Sequence, residues 1–235
     1  VIADIHGQQA LLNDLLSQVE PDHQDQFIFL GDYIDRGPDS RGVIDDLINF
    51  RLLYPQTVFL RGNHEQLLID VLIDCGVVEG QSLAEMSHAW QSRLDRERVS
   101  AFGVFCRNGG KDTLQSYGVE ICQDDALDPT RLILRGEIPR QHIDFIASTK
   151  MYHQQGDYLF FHAGFDSDPY LMLWDRSLAG APGGKVLIVG HTPCPDGDPL
   201  VADDLIMLDT GAGYGGPLSA MDLHTGHIWQ AKQSQ

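Results

Sequence analysis

The sequence predicts an α/β fold in which two packed, mixed β-sheets are flanked by helices. Three observations predict this class. Five short apolar runs, rich in β-branched and aromatic residues, are each followed at once by polar or ionisable residues. Amphipathic helical patterns separate the early runs, and the end of the chain returns to strand patterns.

The apolar runs are short and do not alternate with polar residues, which is typical of strands buried on both faces. They are Val1-Ile2, Phe27–Leu30, Thr57–Leu60, Tyr158–Phe161 and Val186–Val189. The later strands are predicted at Leu205–Leu208, Leu218–Leu223 and His227–Gln230. A hairpin-like turn is expected between the last two.

Helical patterns lie between the first three runs. Residues Gln8–Val19 carry a leucine-rich stripe, and Arg41–Leu53 form the second pattern. Together they predict a βαβαβ start with a largely parallel sheet. Ligands of such sheets bind at the carboxyl ends of the strands, which is where the polar clusters fall.

The whole chain, 1–235, is expected to form one domain, because no linker or repeat divides it. The segment at about 66–155 is expected to be mostly helical, with helices at Ser82–Arg98 and Arg140–Ser148 and a turn at Asn108-Gly109-Gly110. We expect this segment to cover one side of the site.

The composition excludes several classes of protein. Hydrophobic residues make up 43% of the 235 residues, and no apolar run approaches the roughly 20 residues that span a bilayer. A net charge of −18 repels polyphosphate backbones, so nucleic acid is not expected as the main partner. The first residues resemble the end of a strand and not a signal peptide, and the four cysteines form no C-x-x-C pair. A cytoplasmic location with reduced thiols is therefore expected.

Six residues of metal-ligand type follow the five apolar runs. They are Asp4, His6, Asp32, Asn63, His162 and His191. Each alone is more typical of a turn or of a structural residue, but the fold brings all five strand ends to one edge. Histidine, aspartate and asparagine together suit manganese, iron or zinc better than calcium.

The set suits a pair of divalent ions. With two aspartates and a bridging hydroxide, two such ions keep a net positive charge that attracts a phosphate dianion despite the acidic surface. Asn63 preserves this balance because it adds no charge. Two ions about 3.5–4 Å apart lower the pKa of a shared water and stabilise both the attacking and the leaving oxygen. We therefore expect in-line attack of a metal-bridging hydroxide on phosphorus.

Further residues complete this predicted mechanism. Arg36 and Arg176 are predicted to bind phosphate oxygens, although an ion pair within the turn and an ordinary surface charge are the respective alternatives. His64 is predicted to protonate the leaving group, and Asp35 to hold its ring. Glu65 is expected to support the neighbouring ligands or to begin a helix.

Read in order, these blocks resemble the phosphoprotein phosphatases of the calcineurin-like metallophosphoesterases, in particular the branch that includes the bacteriophage lambda phosphatase. The matching stretches are Asp4–Gly7, Gly31–Gly37, Arg61–Gln66, His162–Gly164, Trp174–Arg176, Gly190–Thr192 and Leu208–Ala212. Ala3 stands where the family usually has glycine, and the middle segment matches no substrate-specific pattern.

The resemblance implies a four-layer metallophosphoesterase sandwich and two divalent ions, manganese above all in vitro, with iron or zinc as alternatives. One ion would be held by Asp4, His6 and bridging Asp32, the other by Asp32, Asn63, His162 and His191. It also implies phosphate contacts from Arg36 and Arg176, His64 as the acid with Asp35 behind it, and a weaker match of Tyr214 to an aromatic near the phosphate.

The expected activity is hydrolysis of phosphate monoesters, on phosphoserine or phosphothreonine of proteins, on phosphotyrosine, or on a small phosphomonoester. A dinucleoside polyphosphate hydrolase such as a diadenosine tetraphosphatase is the nearest alternative. That branch typically lacks the aspartate before the clamp arginine, which is present here as Asp35. A non-catalytic module that binds a phosphorylated ligand is the alternative from another class, and the oligomeric state stays open.

Overall fold

The computed structural model of the chain describes residues 1–78, 100–124, 128–177 and 180–233. Two main β-sheets are stacked face to face with helices outside them, which confirms the predicted α/β class. None of the helices described is long and apolar enough to cross a membrane.

The first sheet is mixed and is held together by Ile2. Strands β1 (Ile28–Phe29) and β2 (Val58–Phe59) are parallel, and β10 (Leu218–Met221) runs antiparallel to β11 (Ile228–Ala231). Ile2 bridges the two pairs, in parallel to Phe29 and antiparallel to Ala220. The predicted first strand is thus reduced to a single bridging residue.

The second sheet has five strands in the order β5-β6-β7-β9-β8. Its strands are β5 Tyr152–Gln155, β6 Tyr158–Phe161, β7 Val186–Val189, β8 Leu200–Val201 and β9 Leu205–Met207. The three central strands are parallel and both edge strands are antiparallel. This sheet is therefore mixed as well, as predicted.

The described helices are α1 Gln9–Val19, α2 Ser40–Leu53, α3 Asn63–Asp74, α4 Ala101–Arg107, α5 Gly110–Tyr117, α6 Arg140–Ala147 and α7 Pro169–Trp174. Those predicted at 8–19, 41–53 and 140–148 are confirmed to within one residue at each end. The helix predicted at Ser82–Arg98 lies outside the described residues.

The middle segment, expected to be mostly helical, also contains a β-hairpin that was not predicted. Strands β3 (Glu120–Asp124) and β4 (Asp128–Arg135) form an antiparallel pair there. Val119 and Ile121 are buried while Glu120 between them is exposed, which is the period-two pattern of a strand. The alternation is too short to stand out beside the helical patterns on either side.

Alternation of side chains across the sheets produces four layers. Ile28 faces the second sheet, in a core shared with Ile188, whereas the adjacent Phe29 faces the helices of the other side. On the outer face of the second sheet, Leu187 belongs to a further cluster against which Met172 of α7 packs. The order helices, sheet, sheet, helix follows, with the carboxyl ends of the parallel strands at one edge.

Candidate metal centre

Turns after five strands bring the predicted ligands to one edge of the sandwich. Asp4 and His6 follow Ile2, Asp32 follows β1, Asn63 follows β2, and His162 and His191 follow β6 and β7. All six side chains are buried, and the least buried of them, His191, is only 7% exposed. Charged and polar groups buried this deeply need partners, so their convergence is the main feature of the site.

One group of potential ligands surrounds Asn63. Its Oδ1 lies 2.9 Å from Nε2 of His162 and 3.0 Å from Nδ1 of His191. Oδ1 of Asp32 lies 3.4 Å from the same nitrogen of His162. Ligand atoms of Asp32, His162 and His191 all lie within 4.8 Å of one another. The structure therefore brings together the four residues predicted to hold one ion.

A second group lies on the other side of Asp32. The other carboxylate oxygen, Oδ2, is 3.5 Å from Nε2 of His6 and 3.8 Å from Nε2 of His64. Nη1 of Arg36 lies 2.5 Å from the same nitrogen of His6. Asp32 thus stands between the two groups, with one oxygen toward each.

Asp4 belongs to neither of these groups within the described chain. Both of its oxygens accept the backbone N–H of His191, at 3.0 and 3.1 Å. Burial, together with the charges of Asp209 and Asp32, raises the pKa of the Asp4 carboxyl well above its usual range. In this arrangement Asp4 fixes the turn that carries His191, whereas His64 takes the place beside His6 and Asp32 that was expected for Asp4.

The backbone of the site is unusual. Seven non-glycine residues of the described chain have positive φ, and six of them belong to this site: Asp4, His6, Asp32, Asp35, Arg36 and His191. Such conformations cost about 1–3 kcal/mol each and concentrate at functional sites. An extended segment would direct the side chains of Asp4 and His6 to the same side, but their φ angles of 52° and 48° lie in the left-handed region.

The donor set fits divalent cations. Nε2 of His64 and Nε2 of His191 are buried and make no hydrogen bond within the described part of the chain. Burial lowers the pKa of His191 to about 3, so this ring is neutral near pH 7. A neutral imidazole offers a lone pair, and a buried nitrogen without a partner is costly unless something binds it.

Asp32 carries the negative charge of the site. Burial raises its pKa, but the neighbouring His162, His64 and His6 outweigh burial and bring the pKa well below the usual range. The same pairing raises the pKa of His162 against the effect of its own burial. A carboxylate that stays ionised between two groups of nitrogen ligands is suited to contact two cations.

His64 and Asp35 form a short hydrogen-bonded pair. Nδ1 of His64 lies 2.6 Å from Oδ2 of Asp35, and both side chains are fully buried. Oδ1 of Asp35 accepts the hydroxyl of Thr113 at 2.6 Å. Burial raises the pKa of the Asp35 carboxyl, and the hydrogen bond from Thr113 opposes that shift. The pair leaves Nε2 of His64 directed toward Asp32.

Glu65 holds the turn that carries Asp32. Its Oε2 accepts the backbone N–H groups of Asp32 and Gly62 at 2.8 and 2.9 Å, and Oε1 accepts that of Tyr33 at 2.8 Å. Burial raises the pKa of Glu65 to about 7. Glu65 also lies in the first turn of α3, so it both supports a neighbouring ligand and stands at the start of a helix, the two positions expected for it.

Replacing Glu65 with glutamine is expected to lower the free energy of unfolding by about 2–5 kcal/mol, because an amide group in place of Oε2 leaves two buried N–H groups unpaired. Urea unfolding followed by circular dichroism measures the change. Glu137 is exposed, and E137Q is the matched control. Equal stability of the two variants would contradict the role of Glu65 in holding the turn.

The two predicted phosphate-binding arginines differ in their surroundings. The guanidinium of Arg36 lies 4.5 Å from the ring centre of Tyr214, and its backbone N–H donates to the carbonyl of Gly109 at 3.4 Å. Tyr214 is 66% exposed, so this stack lies at the mouth of the site. Arg176 is exposed in the turn after α7, close enough to His191 for its charge to contribute to the lowered pKa of that ring.

The two hydroxyls around Asp35 were not among the site residues predicted from the sequence. Ser40 begins α2 and Thr113 lies in α5, and both are fully buried. Ser40 is five residues from Asp35, within reach of a local turn, and could have been found as a helix-start residue. Thr113 is 78 residues from Asp35, and no spacing rule connects the two.

Comparison with known proteins identifies the family of this chain. The chain belongs to the calcineurin-like phosphoesterase family, whose model matches residues 1–209. Membership implies divalent metal ions, for which the two groups around Asp32 are the candidate ligands. The fold expected from the resemblance to metallophosphoesterases is confirmed.

Among curated proteins, the chain is 44% identical over 70 residues to the serine/threonine-protein phosphatase PP2A-like PPG1 of Candida albicans, a match that covers 29% of this chain and 17% of the relative. The matches to the first three curated relatives span between 17% and 32% of the relatives' own length.

Solved structures share the fold over nearly all of the chain. One, provisionally named a diadenosine tetraphosphatase, has a TM-score of 0.56 at 19% identity and covers 97% of this chain and 90% of its own. The cold-active protein-tyrosine phosphatase of a Shewanella species has a TM-score of 0.56 at 14% identity, with coverages of 98% and 79%. At these identities the likeness concerns the fold alone.

Proposed function

We propose that this chain is a metal-dependent phosphatase that hydrolyses phosphate monoesters, with phosphoserine and phosphothreonine of proteins as its main substrates. One observation carries the proposal: the buried pair of His64 and Asp35, 2.6 Å apart, stands beside Asp32 with Nε2 of His64 otherwise unpartnered in the described chain. This is the arrangement of a general acid whose ring is oriented by a hydrogen bond to a carboxylate.

A general acid is most useful for a poor leaving group. The alkoxide of serine or threonine is strongly basic and needs a proton as the bond to phosphorus breaks. The nucleotide that leaves a dinucleoside polyphosphate is a far weaker base and gains little from the proton. The His64–Asp35 pair therefore supports a phosphate ester of an alcohol over a polyphosphate, and phosphotyrosine, whose phenolate is intermediate, is a further substrate to test.

The metal ligands are proposed as the resemblance implies, with Asp4, His6 and Asp32 on one ion and Asp32, Asn63, His162 and His191 on the other. Such ions supply Lewis acidity and lower the pKa of a coordinated water. Manganese is the metal we would supply first, with iron and zinc as alternatives. Asp4 accepts the amide of His191 in the structure, and His64 lies beside Asp32. A role of His64 as acid requires that Asp4, and not His64, would complete the ligands of the ion beside His6.

Arg36 and Arg176 are proposed to bind the phosphate. Arg36 is held at the mouth by its stack on Tyr214, and its planar guanidinium can donate to two phosphate oxygens at once. The guanidinium groups of Arg36 and Arg176 add positive charge near the site on a chain of net charge −18. The overall charge disfavours a substrate with several phosphates, which argues against dinucleoside polyphosphates.

A panel of substrates tests the proposal. The manganese-loaded protein is expected to release phosphate from phosphoserine and phosphothreonine peptides faster than it cleaves diadenosine tetraphosphate. Phosphate release and nucleotide chromatography measure the two reactions, with the R36A variant as a control for the site. Cleavage of the dinucleotide alone would establish the alternative hydrolase, and binding of phosphopeptides without turnover would establish a non-catalytic module.

A further inference from the structure

The hydroxyl network around Asp35 has a defined direction. Thr113 donates its only hydroxyl proton to Oδ1 of Asp35, at 2.6 Å. The contact of 2.8 Å between Ser40 Oγ and Thr113 Oγ1 must therefore use the proton of Ser40. The backbone N–H of Asp35 donates to both hydroxyl oxygens, at 3.0 and 2.9 Å. One order of donors thus satisfies every contact in the network.

With this order of donors, only the second carboxylate oxygen of Asp35 is left to contact His64. Oδ1 of Asp35 is taken by Thr113, and Oδ2 lies 2.6 Å from Nδ1 of His64. A carboxylate with both oxygens held cannot rotate about its terminal bond without breaking a buried hydrogen bond. The imidazole plane and the direction of Nε2 of His64 are fixed in turn, because the ring is held at Nδ1.

The network depends on α5, the helix of residues 110–117. Thr113 is 0% exposed and contacts Asp35 from a segment far away in the chain. The turn before this helix also touches the site, since the carbonyl of Gly109 accepts the N–H of Arg36. Asp35 and Arg36 both have positive φ, 73° and 69°, so this part of the turn relies on neighbours to keep its conformation.

We propose that Thr113 is a positioning residue for proton transfer, which acts through Asp35 to aim Nε2 of His64 at the leaving oxygen. This inference rests on the proposed phosphatase function and adds to it a residue that touches neither substrate nor metal. It predicts a selective defect: removal of the hydroxyl slows only those reactions whose leaving group needs a proton.

The test compares T113V, T113S and wild-type protein, all loaded with manganese. T113V is expected to lower kcat by about 10–100-fold on a phosphoserine peptide, as loss of an orienting neighbour typically does. Its rate on para-nitrophenyl phosphate should be nearly unchanged, because that leaving group hardly needs a proton. T113S, which keeps the hydroxyl, should recover most of the rate on the peptide.

Two further readouts separate positioning from a general structural effect. Metal content should be equal in all variants. In the zinc-loaded protein, the low-field proton resonance of Nδ1–H of His64 should move in T113V and return in T113S. T57V is the matched control, because the buried hydroxyl of Thr57 makes no hydrogen bond within the described part of the chain.

The outcomes are decisive. Equal loss on both substrates with metal retained, or no loss on either, would overturn the role of Thr113. Should T113V not fold, T113A takes its place, since it removes the same hydroxyl with a smaller side chain, and an unselective or absent effect there overturns the role as well. If the wild-type protein hydrolyses no phosphate monoester, the proposed function is wrong. If the wild type is active and T113V is equally active on both substrates, only the role of Thr113 is wrong.

Discussion

The His64→Asn variant is expected to hydrolyse a phosphoserine peptide about 10²–10⁴-fold more slowly than the wild type, which is the usual contribution of general acid catalysis. Asparagine keeps the backbone N–H that donates to Oδ1 of Asp32 at 3.1 Å, so the turn is expected to survive. The side chain can no longer donate a proton to the leaving oxygen. Initial rates under saturating substrate measure the effect as kcat.

Metal content decides how such a loss is interpreted, since Nε2 of His64 lies 3.8 Å from Asp32 and within a group of potential ligands. For an acid, the variant keeps its ions and its rate on para-nitrophenyl phosphate. If His64 is instead a metal ligand, the variant loses an ion and hydrolyses both substrates more slowly. H153N, at a histidine on β5, is the matched control, and an unchanged rate on the peptide would refute the acid role.

The Asp32→Asn variant is expected to bind both ions more weakly and to lose about 10³-fold or more in kcat, because each ion supplies several kcal/mol of transition-state stabilisation. The two carboxylate oxygens of Asp32 face different groups, with His162 on one side and His6 on the other. An amide nitrogen in place of one oxygen cannot ligate a cation on that side.

Elemental analysis after dialysis measures the number of metal ions bound per chain, which is the most specific test of a shared ligand. Loss of both ions together supports a shared ligand, whereas loss of one with the other retained would contradict it. D144N is the matched control, because Asp144 is an exposed residue in an ion pair with Arg140. Asparagine can still accept the N–H of His64, so the folded state should persist and can be verified by circular dichroism.

Much of the site could be predicted because the arrangement of the strands determines where its residues meet. Asp32, Asn63, His162 and His191 each follow a short apolar run, and the parallel strands β1, β2, β6 and β7 end at one edge. Once the runs are taken as parallel strands, convergence of the residues after them follows. The geometry within the site does not follow, because it depends on the φ angles of the turns.

The case of Asp4 shows this limit. An extended D-x-H segment would place both side chains on one face, but the left-handed backbone at Asp4 and His6 directs them differently. Asp4 then meets the amide of His191, a residue 187 positions away. Likewise, Thr113 reaches Asp35 only through the packing of α5, and the β3–β4 hairpin was missed because its alternation is short.

The site also joins the two sheets of the sandwich. His6, Asp32 and Asn63 follow strands of the first sheet, while His162 and His191 follow strands of the second. A cation bound by donors from both sheets would therefore connect the two halves of the molecule. At a free ion concentration about a thousand times the dissociation constant, binding of that cation would add about 4 kcal/mol to the free energy of unfolding. Removal of the ion by a chelator would then lower the free energy of unfolding as well as abolish hydrolysis.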